Sequence, residues 1–185
     1  MKKTIVLTAG LLLAFFFHNS ANAQSSNFSD VKGVNLVNAG VGLGTYGLSG
    51  TGGLPIVASF EHGVTKNISA GIETSLIQQS FGAYWKYSYL LVGARGSCHF
   101  SEALNVSNPN LDVYGGAGLL YRHYSVKTKG SVMDDEPGYD WKASGGDMTI
   151  DLHVGARYLF SEHVGGFAEL GYGISPLKLG VSLKF

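Results

Sequence analysis

Read backwards from Phe185, every second residue of the chain is apolar: Leu183, Val181, Leu179 and Leu177, with Lys184, Ser182, Gly180 and Lys178 between them. A two-residue period of this kind is a β-strand with one apolar and one polar face. The pattern recurs upstream, separated by turn signals, in residues 33–44, 54–64, 68–76, 87–100, 111–126, 148–160 and 164–174. The sixth segment shows it plainly: Met148, Ile150, Leu152, Val154, Ala156, Tyr158 and Phe160 alternate with Thr149, Asp151, His153, Gly155 and Arg157. Leu91, in the fourth, is an apolar residue that breaks the polar face of its segment.

Segments of about 9 to 11 residues match a tilted crossing of a bilayer. An open sheet cannot cross, because its edge groups would have no partner in lipid, whereas a closed one satisfies them all. The expectation is therefore an all-β protein, an eight-stranded antiparallel up-and-down transmembrane β-barrel, apolar outside and polar inside. The connections divide accordingly. Residues 65–67, 101–110 and 161–163 are expected at the end that holds the termini, and 45–53, 77–86 and 127–147 at the other, together with the tight Ser175-Pro176 turn. A weak internal echo, Val92-Gly93-Ala94-Arg95 against Val154-Gly155-Ala156-Arg157, marks equivalent descending strands.

The first residues change the picture in one respect. Lys2 and Lys3, an apolar run over 4–17 and Ala21-Asn22-Ala23 before Gln24 read as a cleaved secretory signal peptide over 1–23, with the barrel domain over 24–185. The apolar run is too short for a membrane-spanning helix, which needs about 20 residues. A glutamine at the cleavage point does not indicate a lipid anchor. The whole chain balances 13 basic against 13 acidic residues. Since two of the lysines fall in the leader, the remainder is slightly acidic, and nucleic acid is not expected as a partner. Glycine, at 27 residues, and aromatics, at 12%, suit curved strands with interfacial girdles. The single cysteine, Cys98, allows no intramolecular disulfide.

The leader, the eight alternating segments, the terminal Phe185 and the stretch Gly166-Phe167-Ala168-Glu169-Leu170-Gly171-Tyr172-Gly173 with the strand after it together resemble the small outer-membrane β-barrel proteins, the OmpA/OmpX-like group of the porin superfamily. The resemblance implies a multi-pass monomer in the cell outer membrane of a Gram-negative envelope. It would lack a periplasmic C-terminal domain, and its partners would be outer-membrane lipids and the outer-membrane assembly machinery. It also implies that Val181, Leu183 and Phe185 form the assembly signal read by that machinery.

The inward parity collects Glu61, Glu73, Asp112, Asp151 and Glu169 against Arg95, Arg122, Arg157, Lys178 and Lys184, five acids facing five bases. An eight-stranded barrel has an interior just filled by side chains, so these charges are expected to pair as a lumen polar network. The expected function is structural, in envelope integrity or surface interaction, and not enzymatic. Two other functions are compatible with the pattern. A switchable network would make a narrow ion or small-solute porin. His123-Tyr124-Ser125, with Glu136 further on, resembles the H-x-S pair of outer-membrane lipid A-modifying esterases, but Val126-Lys127 stands where that resemblance would place Asn-Ala. Gly42-Leu43-Gly44-Thr45-Tyr46-Gly47 spells G-x-G-x-x-G without the helix that nucleotide binding needs, and reads as lumen wall running into a loop. Asp134-Asp135-Glu136 reads as solvated loop. His62, His99, His153 and His163 lack chelating spacing, so no metal or cofactor is expected.

Overall fold

A computed structural model of the chain describes residues 28, 30–46, 51–81, 85–128 and 142–185. The leader, Glu136 and the Asp134-Asp135 pair fall outside the described residues. The strands are β1 (Asn35–Leu43), β2 (Thr51–Gly52), β3 (Ile56–Gly63), β4 (Ile68–Phe81), β5 (Trp85–His99), β6 (Leu111–Thr128), β7 (Lys142–Leu159), β8 (Val164–Tyr172) and β9 (Leu177–Lys184). Apart from the two-residue β2, which is one rung laid on the upper end of β4, each strand pairs antiparallel with the next long strand in sequence. β9 returns to β1 from Leu36↔Lys184 to Leu43↔Leu177, so eight long strands close into a barrel. The seam extends to the last residue: the Asn35 N–H donates to the Phe185 carbonyl at 2.7 Å, and the Phe185 N–H donates back at 3.0 Å.

The two faces divide as the alternation expects, and in the opposite sense to a water-soluble protein. Ile56 and Val154 are each 61% exposed on the outside, whereas Arg157 and Asp112 are 0% exposed within. An apolar exterior around a charged interior is stable only with lipid as the outer solvent, so the barrel spans a membrane. Tyr46, Tyr121 and Tyr172 edge the apolar belt at the upper end, and Phe100, Tyr158 and Phe160 edge it at the lower end, where Phe185 lies.

The strands are unequal in length. β1, β3, β8 and β9 hold 8 or 9 residues, but β4 holds 14, β5 15, and β6 and β7 18 each. At about 3.3 Å per residue the long strands outreach a bilayer crossing. Four neighbouring strands therefore continue upward as a sheet on one side of the barrel. Residues 51–52, 77–81, 85–86, 127–128 and 142–147, expected as loop, are strand instead. Gly145 and Gly146 bear on the stretch 142–147: Tyr124 lies across Gly145 and Tyr121 across Gly146, from opposite faces, where a Cβ would displace the rings. The aromatic rings supply the cross-strand packing that the glycines lack.

The lumen is stratified. At its lower end Phe28, Val31, Val34, Leu36 and Leu159 form a buried cluster. The segment leading into β1 folds across the mouth, with the Val31 N–H donating to the Lys66 carbonyl at 3.0 Å and the Phe28 N–H to the Pro109 carbonyl at 3.3 Å. Near the upper end Val57, Ile77, Leu91, Leu120, Phe167 and Ile174 form a second apolar cluster. Leu91, which breaks the polar pattern in the sequence, belongs to this upper seal. The charged groups lie between the two.

Candidate functional site: the filled lumen

The middle layer is organised by two cations. The Arg95 guanidinium, on β5, lies 2.9 Å from Glu73 of β4, 2.9 Å from Glu169 of β8 and 3.2 Å from Glu61 of β3. Lys178, on β9, lies 2.7 Å from Glu73, 2.9 Å from Asp151 and 3.8 Å from Glu169. Glu73 and Glu169 therefore each bridge both cations. Lower down, Arg157 of β7 donates to Asp112 of β6 at 2.7 Å and to the Asn38 side chain at 3.3 Å. Its guanidinium stacks over Tyr114, 4.5 Å from the ring centroid, while the Tyr114 hydroxyl donates to Glu169 at 2.9 Å.

Two histidines complete the layer. His99 Nδ1 lies 2.9 Å from Asp112, and its Nε2 lies 3.0 Å from the Ser69 hydroxyl, which in turn donates to Glu61 at 2.7 Å. His153 Nδ1 lies 2.6 Å from Asp151 and its Nε2 3.0 Å from the Ser97 hydroxyl. Each is a Ser/His/Asp row of the kind that activates a nucleophile. Both are buried, so neither serine can meet a substrate. The void beside Arg95 and Lys178 has a volume of about 10 Å³, room for a single water at most.

A scan against protein-family models finds no match, and neither does a sequence search of curated proteins. Solved structures do match. The N-terminal β-barrel domain of Pseudomonas aeruginosa OprF superposes with a TM-score of 0.54 at 15% identity, covering 83% of this chain and 98% of that one. Neisserial surface protein A superposes with a TM-score of 0.53 at 16% identity, covering 82% and 96% respectively. The fold is that of a small outer-membrane β-barrel.

Within this barrel the residues singled out from the sequence separate by height. Glu61, Glu73, Arg95, Asp112, Asp151, Arg157, Glu169 and Lys178 meet in the middle layer. Lys184 lies at the lower end, its ammonium 4.8 Å from the Phe28 ring centroid. Arg122 is a correction: it has the inward parity but stands above Leu120, outside the sealed layer, where it pairs with Asp147 in solvent, the two side chains 42% and 47% exposed. His99 and His153, passed over for want of chelating spacing, belong to the network instead. Their signal was inward parity with an inward acid two positions away, on the same strand for His153 and along the neighbouring strand for His99.

His123 and Ser125 lie on the outer face of β6, above the belt, opposite Gly146 and Ser144. No hydrogen bond joins them, and Glu136 lies outside the described residues. Of the G-x-G-x-x-G stretch, Gly42 lines the wall, and Gly44 (φ 76°) ends β1 in a conformation that a side chain would strain. Among the described residues no group of three or more His, Cys, Asp or Glu is placed to hold a metal ion. Val181 and Leu183 point outward beside the seam that Phe185 closes.

Proposed function

We propose that the protein is a non-conducting, monomeric outer-membrane barrel that works at the cell surface through the sheet its long strands raise above the lipid. A cleaved leader over 1–23 delivers a barrel domain over 24–185, and Val181, Leu183 and Phe185 present the strand read by the assembly machinery. Both termini then face the periplasm and the projecting sheet faces outward. The observation that carries the reading is the stratified lumen: two apolar seals with a polar layer between them leave no continuous aqueous path. The porin reading lacks this support. Refolded protein in planar bilayers is expected to stay electrically silent; reproducible stepwise currents would refute the proposal.

The projecting sheet supplies the surface element. β8 pairs with β7 only from Leu152 downward, so among the described residues the β7 backbone from Lys142 to Asp151 has β6 on one side and no strand on the other. An exposed edge of this length accepts an extended partner segment by adding a strand. On this reading, cells displaying the protein bind extended protein segments. A proline scan of residues 143–149 should abolish that binding at alternate positions, where the amide faces the free edge. Binding insensitive to every proline would exclude the edge as the docking element.

A further inference from the structure

Above the lipid, the outer face of the long strands carries a row of cations that no described residue balances. The register of β4 to β7 stacks the outward side chains in rungs. The rung at the top of the apolar belt is Thr74, Val92, Tyr121 and Met148, and the next is Leu76, Leu90, His123 and Gly146. Over them Ser88, Ser125 and Ser144 stand side by side, and over these Lys86, Lys127 and Lys142. Like charges directly opposite one another destabilise a sheet, yet here three exposed lysines occupy one rung of consecutive strands. On the other face of the same sheet Arg122 has Asp147. The outer face has no such answer, because every acid of β4 to β7, namely Glu73, Asp112, Asp147 and Asp151, has inward parity. Among the described residues none of the three lysines forms an ion pair.

The position of the row says what meets it. Its face continues the lipid-facing wall of the barrel, so the partner rises from the same leaflet. From Tyr121 to Lys127 is about 20 Å of strand and, at a tilt of about 40°, about 15 Å of height. A phospholipid headgroup layer is only about 5–8 Å deep. Even with their stems laid downward along the sheet, the ammonium groups stand at or above its upper limit. A headgroup that fills this gap is built of several sugars, and one that answers three lysines carries phosphate on those sugars. Adjacent strands lie about 4.8 Å apart, so the row is about 10 Å wide, enough to meet separate phosphates of one headgroup. We propose that the outer face of the projecting sheet binds a lipid with a phosphorylated oligosaccharide headgroup, its phosphates held by Lys86, Lys127 and Lys142 and its sugar hydroxyls by the serine rung beneath.

The assignment rests on the outward orientation proposed above, and micelles, which have no inside or outside, test it apart from that orientation. The mature protein is refolded in zwitterionic detergent, lipopolysaccharide with a phosphorylated core is added in rising proportion, and the amount retained on affinity-captured protein is measured. At about fivefold per lysine, the half-saturating proportion should rise about fivefold in Lys127→Gln and up to about a hundredfold in Lys86→Gln/Lys127→Gln/Lys142→Gln. Arg122→Gln, on the opposite face, should bind as the wild type does. Dephosphorylated lipopolysaccharide should bind the wild type as weakly as the intact lipid binds the triple variant. A triple variant that binds like the wild type, no loss on dephosphorylation, or equal losses in Arg122→Gln and Lys127→Gln would overturn the proposal. So would displacement by phosphatidylglycerol or heparin at equal charge concentration, since the row would then be a general anion site. If the triple variant does not fold, the dephosphorylated lipid on the unaltered protein decides. An epitope inserted between β6 and β7 and stained on intact cells tests the orientation separately.

Discussion

Arg95 is the residue whose removal should cost the lumen most. Its guanidinium reaches three carboxylates at 2.9 to 3.2 Å. With charge centres about 4 Å apart and an effective dielectric of about 20, each attraction is about 4 kcal/mol. Most of that gross gain is cancelled by the cost of drying four charges, which is why deleting one partner of a buried pair typically costs about 3–5 kcal/mol. In Arg95→Met, Glu73 and Glu169 keep Lys178, while Glu61 loses its ion pair and keeps the hydrogen bond from the Ser69 hydroxyl. The loss should therefore fall within about 3–5 kcal/mol, a large part of an ordinary protein's stability of about 5–15 kcal/mol. Urea titration of protein refolded in vesicles, followed by tryptophan fluorescence and by the mobility of unboiled against boiled samples, measures it. Adding Glu61→Gln to Arg95→Met should recover a substantial part, because the stranded charge is then gone. A loss below about 1 kcal/mol, the scale of an exposed pair, would refute the reasoning.

The layering makes two further outcomes testable. Leu152→Arg, on the lipid face near mid-belt, should cost about 2–4 kcal/mol, whereas Ser144→Arg, on the same face of the same strand but above the belt, should cost about 0–1 kcal/mol; equal costs in the same urea titration would contradict the assigned membrane position. Phe28→Ala should cost about 3 kcal/mol and admit water to the lower lumen, read as faster amide exchange around Leu36 and Leu159; an unchanged midpoint and exchange would show that the strap is not a seal.

The lower barrel was legible in the sequence because lipid on one side and packed polar groups on the other leave strict alternation as the only workable pattern. The upper sheet was not. Residues such as Gln78, Gln79 and Ser80 face water on both sides, and Gly145 and Gly146 rely on Tyr124 and Tyr121 from the neighbouring strand, so no local period announces a strand there. Parity also tells which side a residue faces but not its height. Arg122 and Lys178 are both inward by that test, yet Leu120 and the rest of the upper cluster put Arg122 in solvent. The place of His99 and His153 in the network was hidden for a different reason: it depends on Ser69 and Ser97 standing within hydrogen-bond reach of the rings, which only the register of β4, β5 and β7 decides.

The polar layer has a rationale in the export route proposed for the chain. A barrel of this size would be simpler to fill with leucine and valine, which need no partners. Filling it so would make each strand continuously apolar, and segments long enough to read as spanning helices would stall in the first membrane that an exported chain meets. Alternation keeps the mean hydropathy at +0.13, so that every strand passes as a polar segment and becomes lipid-compatible only on closure. The cost is a set of carboxylates carried into a dry interior, where each needs a cation. Arg95, Lys178 and Arg157 supply three positive charges from three different strands. The network can be complete only when every strand is in register, which ties the electrostatics of the lumen to closure of the seam between Asn35 and Phe185.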